Sequence, residues 1–123
     1  MAIVSNLTVD QGTTFSANVD VSDESGNAQN LTGYSVAGQI RKSYDSSGYT
    51  AFTAAITNAA QGTINISLAP TVTNGLTAGR YVYDVEITSG GGVVTRVLEG
   101  QVEVTPGVTR WQQWRLRSSN LES

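Results

Sequence analysis

Three features of this sequence predict an all-β fold, an antiparallel sandwich of seven or eight strands. Apolar residues recur with a period of two along most of the chain. Residues that tolerate tight turns separate those runs at a spacing of about 8–12 residues. Only one short stretch before residue 109 reads as helical. A chain of 123 residues is one domain; at that length roughly 65–70% of the unfolded surface can be buried, enough for one core. A small closed barrel fits the same spacing and stands as the alternative architecture.

The strand candidates are residues 3–9, 13–21, 34–41, 49–56, 63–68, 80–88 and 93–104. Residues 13–21 alternate most cleanly. Phe15, Ala17, Val19 and Val21 fall on one face and Thr14, Ser16, Asn18 and Asp20 on the other. Turn chemistry lies between the runs, in Asp-Glu-Ser-Gly at 23–26, Asn-Ala-Ala-Gln-Gly at 58–62 and Ser-Gly-Gly-Gly at 89–92. Gly100 sits inside the long last candidate and is expected to mark a bulge or a bend there. Residues 70–75, Pro-Thr-Val-Thr-Asn-Gly, can form a single helical turn closed by Asn74 or Gly75.

Residues 76–83 narrow the sandwich type. Leu76, the turn at Gly79 and Tyr81 entering a strand resemble the tyrosine corner of immunoglobulin-like and fibronectin-like sandwiches. That corner would bring the Tyr81 ring to the core and bond its hydroxyl to backbone a few residues upstream. Tyr81 and Tyr83 also share a strand face, which suits plain core or rim packing. Both readings give an immunoglobulin-like β-sandwich over residues 1–107, closed by Pro106 and Gly107, with a C-terminal extension over 108–123.

The extension differs in composition. It holds both tryptophans, Trp111 and Trp114, three residues apart, with Arg110, Arg115, Leu116 and Arg117 around them. Trp and Arg are enriched at interface hot spots because each joins a large buried area to specific polar geometry. These six residues are therefore the candidate partner-binding set. The alternative is that the segment folds back and covers the end of its own sandwich.

Composition excludes most chemistry. With no histidine and no cysteine, the usual nucleophile–base pairs, zinc sites and disulfides are not available, and no catalytic residue, metal or cofactor is expected. Paired carboxylates could in principle cleave glycosides. Asp84 and Glu86 share one strand face, and Glu99 and Glu103 can lie on the neighbouring strand. Arg80 and Arg96 are placed to pair with them, which is the ordinary pattern of a solvated sheet. Asp20, Asp23 and Glu24 surround one turn without the spacing of a calcium loop. The aromatic residues fall mostly on inward-facing positions or in the terminal segment.

The net charge of −3 is uneven, −5 over residues 1–109 and +2 over 110–123. An acidic body makes nucleic acid a poor partner. No apolar run approaches the ~18 residues of a membrane helix, so no membrane partner is expected. The first residues lack the basic start and apolar stretch of a secretory signal, which predicts synthesis in a cytoplasm without export by that route.

Several stretches taken together resemble a family. They are Asp-Gln-Gly-Thr-Thr-Phe at 10–15, Asn-Leu-Thr-Gly-Tyr at 30–34 and Gln-Ile-Arg-Lys-Ser at 39–43. Further along come Gly-Arg-Tyr-Val-Tyr-Asp-Val-Glu-Ile at 79–87, Val-Thr-Arg-Val-Leu-Glu-Gly at 94–100 and Val-Thr-Pro-Gly-Val-Thr-Arg at 104–110. This pattern, over about residues 5–110, resembles a small immunoglobulin-like domain of tailed bacteriophages, especially those infecting cyanobacteria. It is also similar to the N-terminal domain of phage baseplate upper proteins. The resemblance implies a virion structural protein assembled in the host bacterial cytoplasm, not an enzyme. The role implied first is a tail or baseplate component joining fibres or other distal parts to the tail, as a homo-oligomer such as a trimer. A capsid decoration protein bridging major capsid subunits is the alternative, and a carbohydrate-binding module for the host surface a second one.

Overall fold

The computed structural model describes residues 2–108. Nine strands and one helical turn follow in order: β1 (Ile3–Val4), β2 (Leu7–Asp10), β3 (Phe15–Asp20), β4 (Ser35–Arg41), β5 (Thr50–Ala51), β6 (Thr53–Asn58), β7 (Thr63–Leu68), α1 (Pro70–Asn74), β8 (Gly79–Thr88) and β9 (Val94–Thr105). The larger sheet runs β1-β9-β8-β4-β5, with β2 also on β9; the smaller runs β3-β7-β6. This is an all-β sandwich with an immunoglobulin-like strand order, β3-β7-β6 packed against β9-β8-β4, in which the chain crosses between the sheets after β2, β3, β5 and β7 instead of closing a barrel.

The core lies between the two inner faces. Val9, Ile40, Ile64, Ile66, Val85 and Val102 are almost wholly buried, and each contributes about 1.5–3 kcal/mol by leaving water. Phe52 sits centrally, its ring centroid 6.2 Å from Phe15 and 6.0 Å, edge-on, from Tyr83. Gly38 makes room for it, because a Cβ there would lie 3.0 Å from the Phe52 ring and 3.0 Å from the Asp84 carbonyl oxygen.

Two expected strands are divided. Residues 49–56 break at Phe52, where the chain leaves β4 in the larger sheet and joins β7 in the smaller. The Phe52 N–H is still held by the Gly38 carbonyl at 2.9 Å. Residues 3–9 break at Ser5 and Asn6, yet the register continues across the gap, Ile3 opposite Leu98 and Leu7 opposite Val102. This first strand lies parallel to β9, so the sandwich is antiparallel everywhere except along that edge.

The break is built around Gly100. A Cβ on Gly100 would fall 2.2 Å from the Ser5 carbonyl oxygen, so only glycine lets the first strand cross. Asn6 Oδ1 accepts from the Gln101 N–H at 3.1 Å, and the Tyr83 hydroxyl donates to the Ser5 carbonyl at 2.5 Å. The bulge in β9 lies elsewhere than expected, between the Val85–Leu98 and Glu86–Arg96 pairs. There Val97 and Leu98 both turn inward and are buried.

The helical turn α1 forms where Pro70 presets the first helical position, and it ends at Gly75 in a right-handed conformation. Thr73 is fully buried. Its hydroxyl donates to the Thr13 carbonyl at 2.7 Å and accepts from the Gly12 N–H at 3.1 Å, tying the turn to the approach to β3.

Candidate interaction surface

Alternation on β8 turns Tyr83, Val85 and Ile87 inward and leaves Arg80, Val82, Asp84 and Glu86 outward. The pairing of β4, β8 and β9 sets these outward residues in transverse rows. Ala37, Glu86 and Arg96 form one row, Gln39, Asp84 and Glu99 the next, and Arg41, Val82 and Gln101 a third. The small side chain of Ala37 lowers the floor, and Tyr44 and Arg41 rise at its side, giving a shallow concavity on the outer face of the larger sheet.

Arg96 is the electrostatic centre of that face. Its Nε lies 3.2 Å from Asp84 Oδ2 and its Nη1 3.5 Å from Glu99 Oε1. All three side chains are about half exposed, so each pair adds little to stability. The expected cross-strand pairing thus gathers at Arg96, while Arg80 faces Glu103 across the ladder.

The wall of the concavity is held by Arg41. Its Nη1 donates to the Ser46 carbonyl at 2.7 Å, its Nη2 donates to Gln39 Oε1 at 2.9 Å, and its guanidinium stacks 5.0 Å from the Tyr49 ring centroid. One side chain therefore ties the loop between β4 and β5 to the sheet, with Tyr44 left 82% exposed at its tip. Tyr49 is exposed as well. These two rings are the exceptions to the expectation that the aromatics fall mostly on inward-facing positions or in the terminal segment. The sequence did carry a signal for Tyr44, a lone large ring in the polar run Lys-Ser-Tyr-Asp-Ser-Ser-Gly at 42–48, where no strand alternation can bury it.

At the opposite margin of β8 the Tyr81 hydroxyl donates to the Thr77 carbonyl at 2.7 Å, Leu76 is buried and Gly79 opens the strand. The Tyr81 ring is half-buried against the core, with Lys42 Nζ 4.8 Å from its centroid. The wholly inward tyrosine is Tyr83, whose burial pushes its pKa up to about 12.

The acidic turn is occupied by its own backbone. Asp23 Oδ1 accepts from the N–H groups of Ser25 at 2.9 Å and Asn27 at 3.0 Å, and Asp20 accepts from the Thr63 hydroxyl at 3.1 Å. Among the described residues no three acidic side chains gather as a metal site, and no helix is long and apolar enough to cross a membrane. Arg110, Trp111, Trp114, Arg115, Leu116 and Arg117 lie outside the described residues. The chain leaves the sandwich at Gly107, whose N–H donates to Gln11 Oε1 at 3.1 Å.

No family model matches the chain, and no curated protein matches it. Solved structures with a similar course include an internalin-like protein of Listeria monocytogenes, at 14% identity and a TM-score of 0.43, matched over 86% of this chain and 28% of that one. Another is a family 123 glycoside hydrolase from Clostridium perfringens, at 12% identity and a TM-score of 0.40, over 85% of this chain and 23% of that one. The chain thus spans less than a third of the length of either protein.

Proposed function

We propose that this chain is a virion structural protein of a tailed phage, a tail or baseplate component that joins fibres or other distal parts to the tail by protein–protein contacts. The observation that carries this reading is the set of motifs over about residues 5–110 that resembles the phage immunoglobulin-like domain. The concave face of the larger sheet supports a binding role, because Tyr and Arg are the residues that anchor interfaces and Tyr44 stands on a loop already held by Arg41. In an assembly of many symmetric copies, a modest contact of this kind gains strength by repetition. The segment after Val108, with its Trp and Arg residues, is the second docking element. A chain ended after Val108 is expected to fold, by circular dichroism, and to be lost from particles; normal incorporation would overturn the docking role of that segment.

A second reading, a carbohydrate-binding module for the host surface, is favoured by one observation, the exposed Tyr44 ring beside a concavity lined by Gln39, Asp84 and Glu86. It predicts binding to host surface polysaccharide that Tyr44→Ala abolishes while incorporation into particles persists.

A further inference from the structure

Five strands border the two sheets, and four of them are short or interrupted. In the larger sheet β5 has two residues, and the first strand is cut at Ser5 and Asn6 into β1 and β2. In the smaller sheet β6 shifts register between Ile56 and Asn58. The remaining border strand, β3, is six residues long and pairs without a shift along β7. It contains no proline, glycine or lysine, the residues that ordinarily blunt an edge.

The direction of its free groups follows from the ladder. The Val21 N–H donates to the Gly62 carbonyl on the β7 side. Backbone groups alternate along a strand, so those of Phe15, Ala17 and Val19 also face β7, and those of Ser16, Asn18 and Asp20 face outward. Among the described residues, the backbone N–H groups of Ser16, Asn18 and Asp20 have no acceptor.

We propose that β3 is the seam of a two-fold dimer, in which the β3 strands of two copies pair antiparallel about Asn18 and join their smaller sheets into one of six strands. The residue pattern selects a second copy as the occupant. Ser16 and Asp20 stand symmetrically about Asn18, so each copy's Ser16 hydroxyl meets the other's Asp20 carboxylate and no like charges face each other. The outward groups of all three residues pair in this register, giving about six backbone hydrogen bonds. On the inner face, Ala17 comes opposite the second copy's Val19, extending an apolar row that is half-buried in the single copy. The seam lies on the smaller sheet, away from the concave face, so it does not depend on the function proposed above.

Sedimentation velocity of the full chain over a roughly hundredfold concentration range is expected to show a monomer–dimer equilibrium. Asn18→Lys sets two like charges face to face on the axis and is expected to weaken the dimer at least about tenfold, with an unchanged circular dichroism spectrum. The chain has no cysteine, so Asn18→Cys introduces a single thiol. Facing Cα atoms about 5.5 Å apart lie within disulfide range, so this variant should oxidise to a covalent dimer. Thr53→Cys, on β6 at the other border of the same sheet, should not. A monomer throughout the range, equal cross-linking by Thr53→Cys, or a dimer abolished by removing residues 109–123 but not by Asn18→Lys would each overturn the proposal.

Discussion

The two outer faces of this sandwich rest on the same alternating core yet carry opposite kinds of polarity. The smaller sheet's face is built of hydroxyls and amides that bind one another. Asn65 Nδ2 donates to Ser16 Oγ at 3.0 Å and Asn18 Oδ1 at 2.9 Å, and the Thr63 hydroxyl reaches Asp20. The larger sheet's face carries charge and two exposed rings, with Arg41 and Arg96 fixing a concavity. The edges differ in the opposite sense. The larger sheet's long last strand is covered by β1 and β2, whereas among the described residues β3 keeps an open side. A period-two pattern specifies which side chains face the core, and the choice among polar residues on the other side decides whether a face closes on itself or stays available.

Gly100→Ala tests the covered edge most severely. The new Cβ would collide with the Ser5 backbone, and a loss of about 3 kcal/mol in urea unfolding is expected. A loss below about 1 kcal/mol would show that the first strand shifts freely and that the larger sheet's edge is as open as that of β3.

Tyr83→Phe probes the same edge more gently. Removing the hydroxyl leaves the part-buried Ser5 carbonyl without its donor, at a cost of about 1–2 kcal/mol. Tyr83 also gives the domain an alkaline limit. Its folded pKa of about 12 exceeds the ordinary value of 10.0, so the unfolded chain releases this proton first as pH rises. The stability tied to the neutral phenol is complete below pH 10 and is lost as pH approaches 12. Tyr83→Phe should remove that part of the alkaline decline; equal declines in both proteins would contradict it.

The smallest effects separate the two faces themselves. Asn65→Ala breaks a bonded array and is expected to cost about 0.5–1 kcal/mol. Arg96→Ala breaks half-exposed ion pairs and is expected to change stability by less than about 0.5 kcal/mol while disturbing binding at the concave face. The reverse order in thermal or urea unfolding would remove the distinction drawn between the faces.

The strands were legible in the sequence because a half-buried strand writes its face into alternate residues, as Phe15 to Val21 do. The breaks were not. Ser5 and Asn6 keep the parity of the first strand on both sides, so no change of phase marks the gap. The transfer at Phe52 likewise leaves one apolar residue in phase while its neighbours change sheets. Parallel pairing of the first strand with β9 depends on distant neighbours, which local alternation does not encode. Gly100 was legible as a special position, but its cause is the crossing Ser5 backbone and not a bulge. Of the candidate site, the charged rows of β8 and β9 could be read from sequence, whereas the polar run around Tyr44 signalled only its exposure, and its place beside the concavity required the loop that Arg41 holds.

The copy number of this protein in purified virions, set against the major capsid protein by quantitative mass spectrometry, tests the proposed role most directly. A tail or baseplate component predicts roughly a few to a few tens of copies per particle, following the low-order symmetry of a tail tip. Hundreds would contradict that placement and put the chain on the shell as a decoration protein, and none would contradict a virion role altogether.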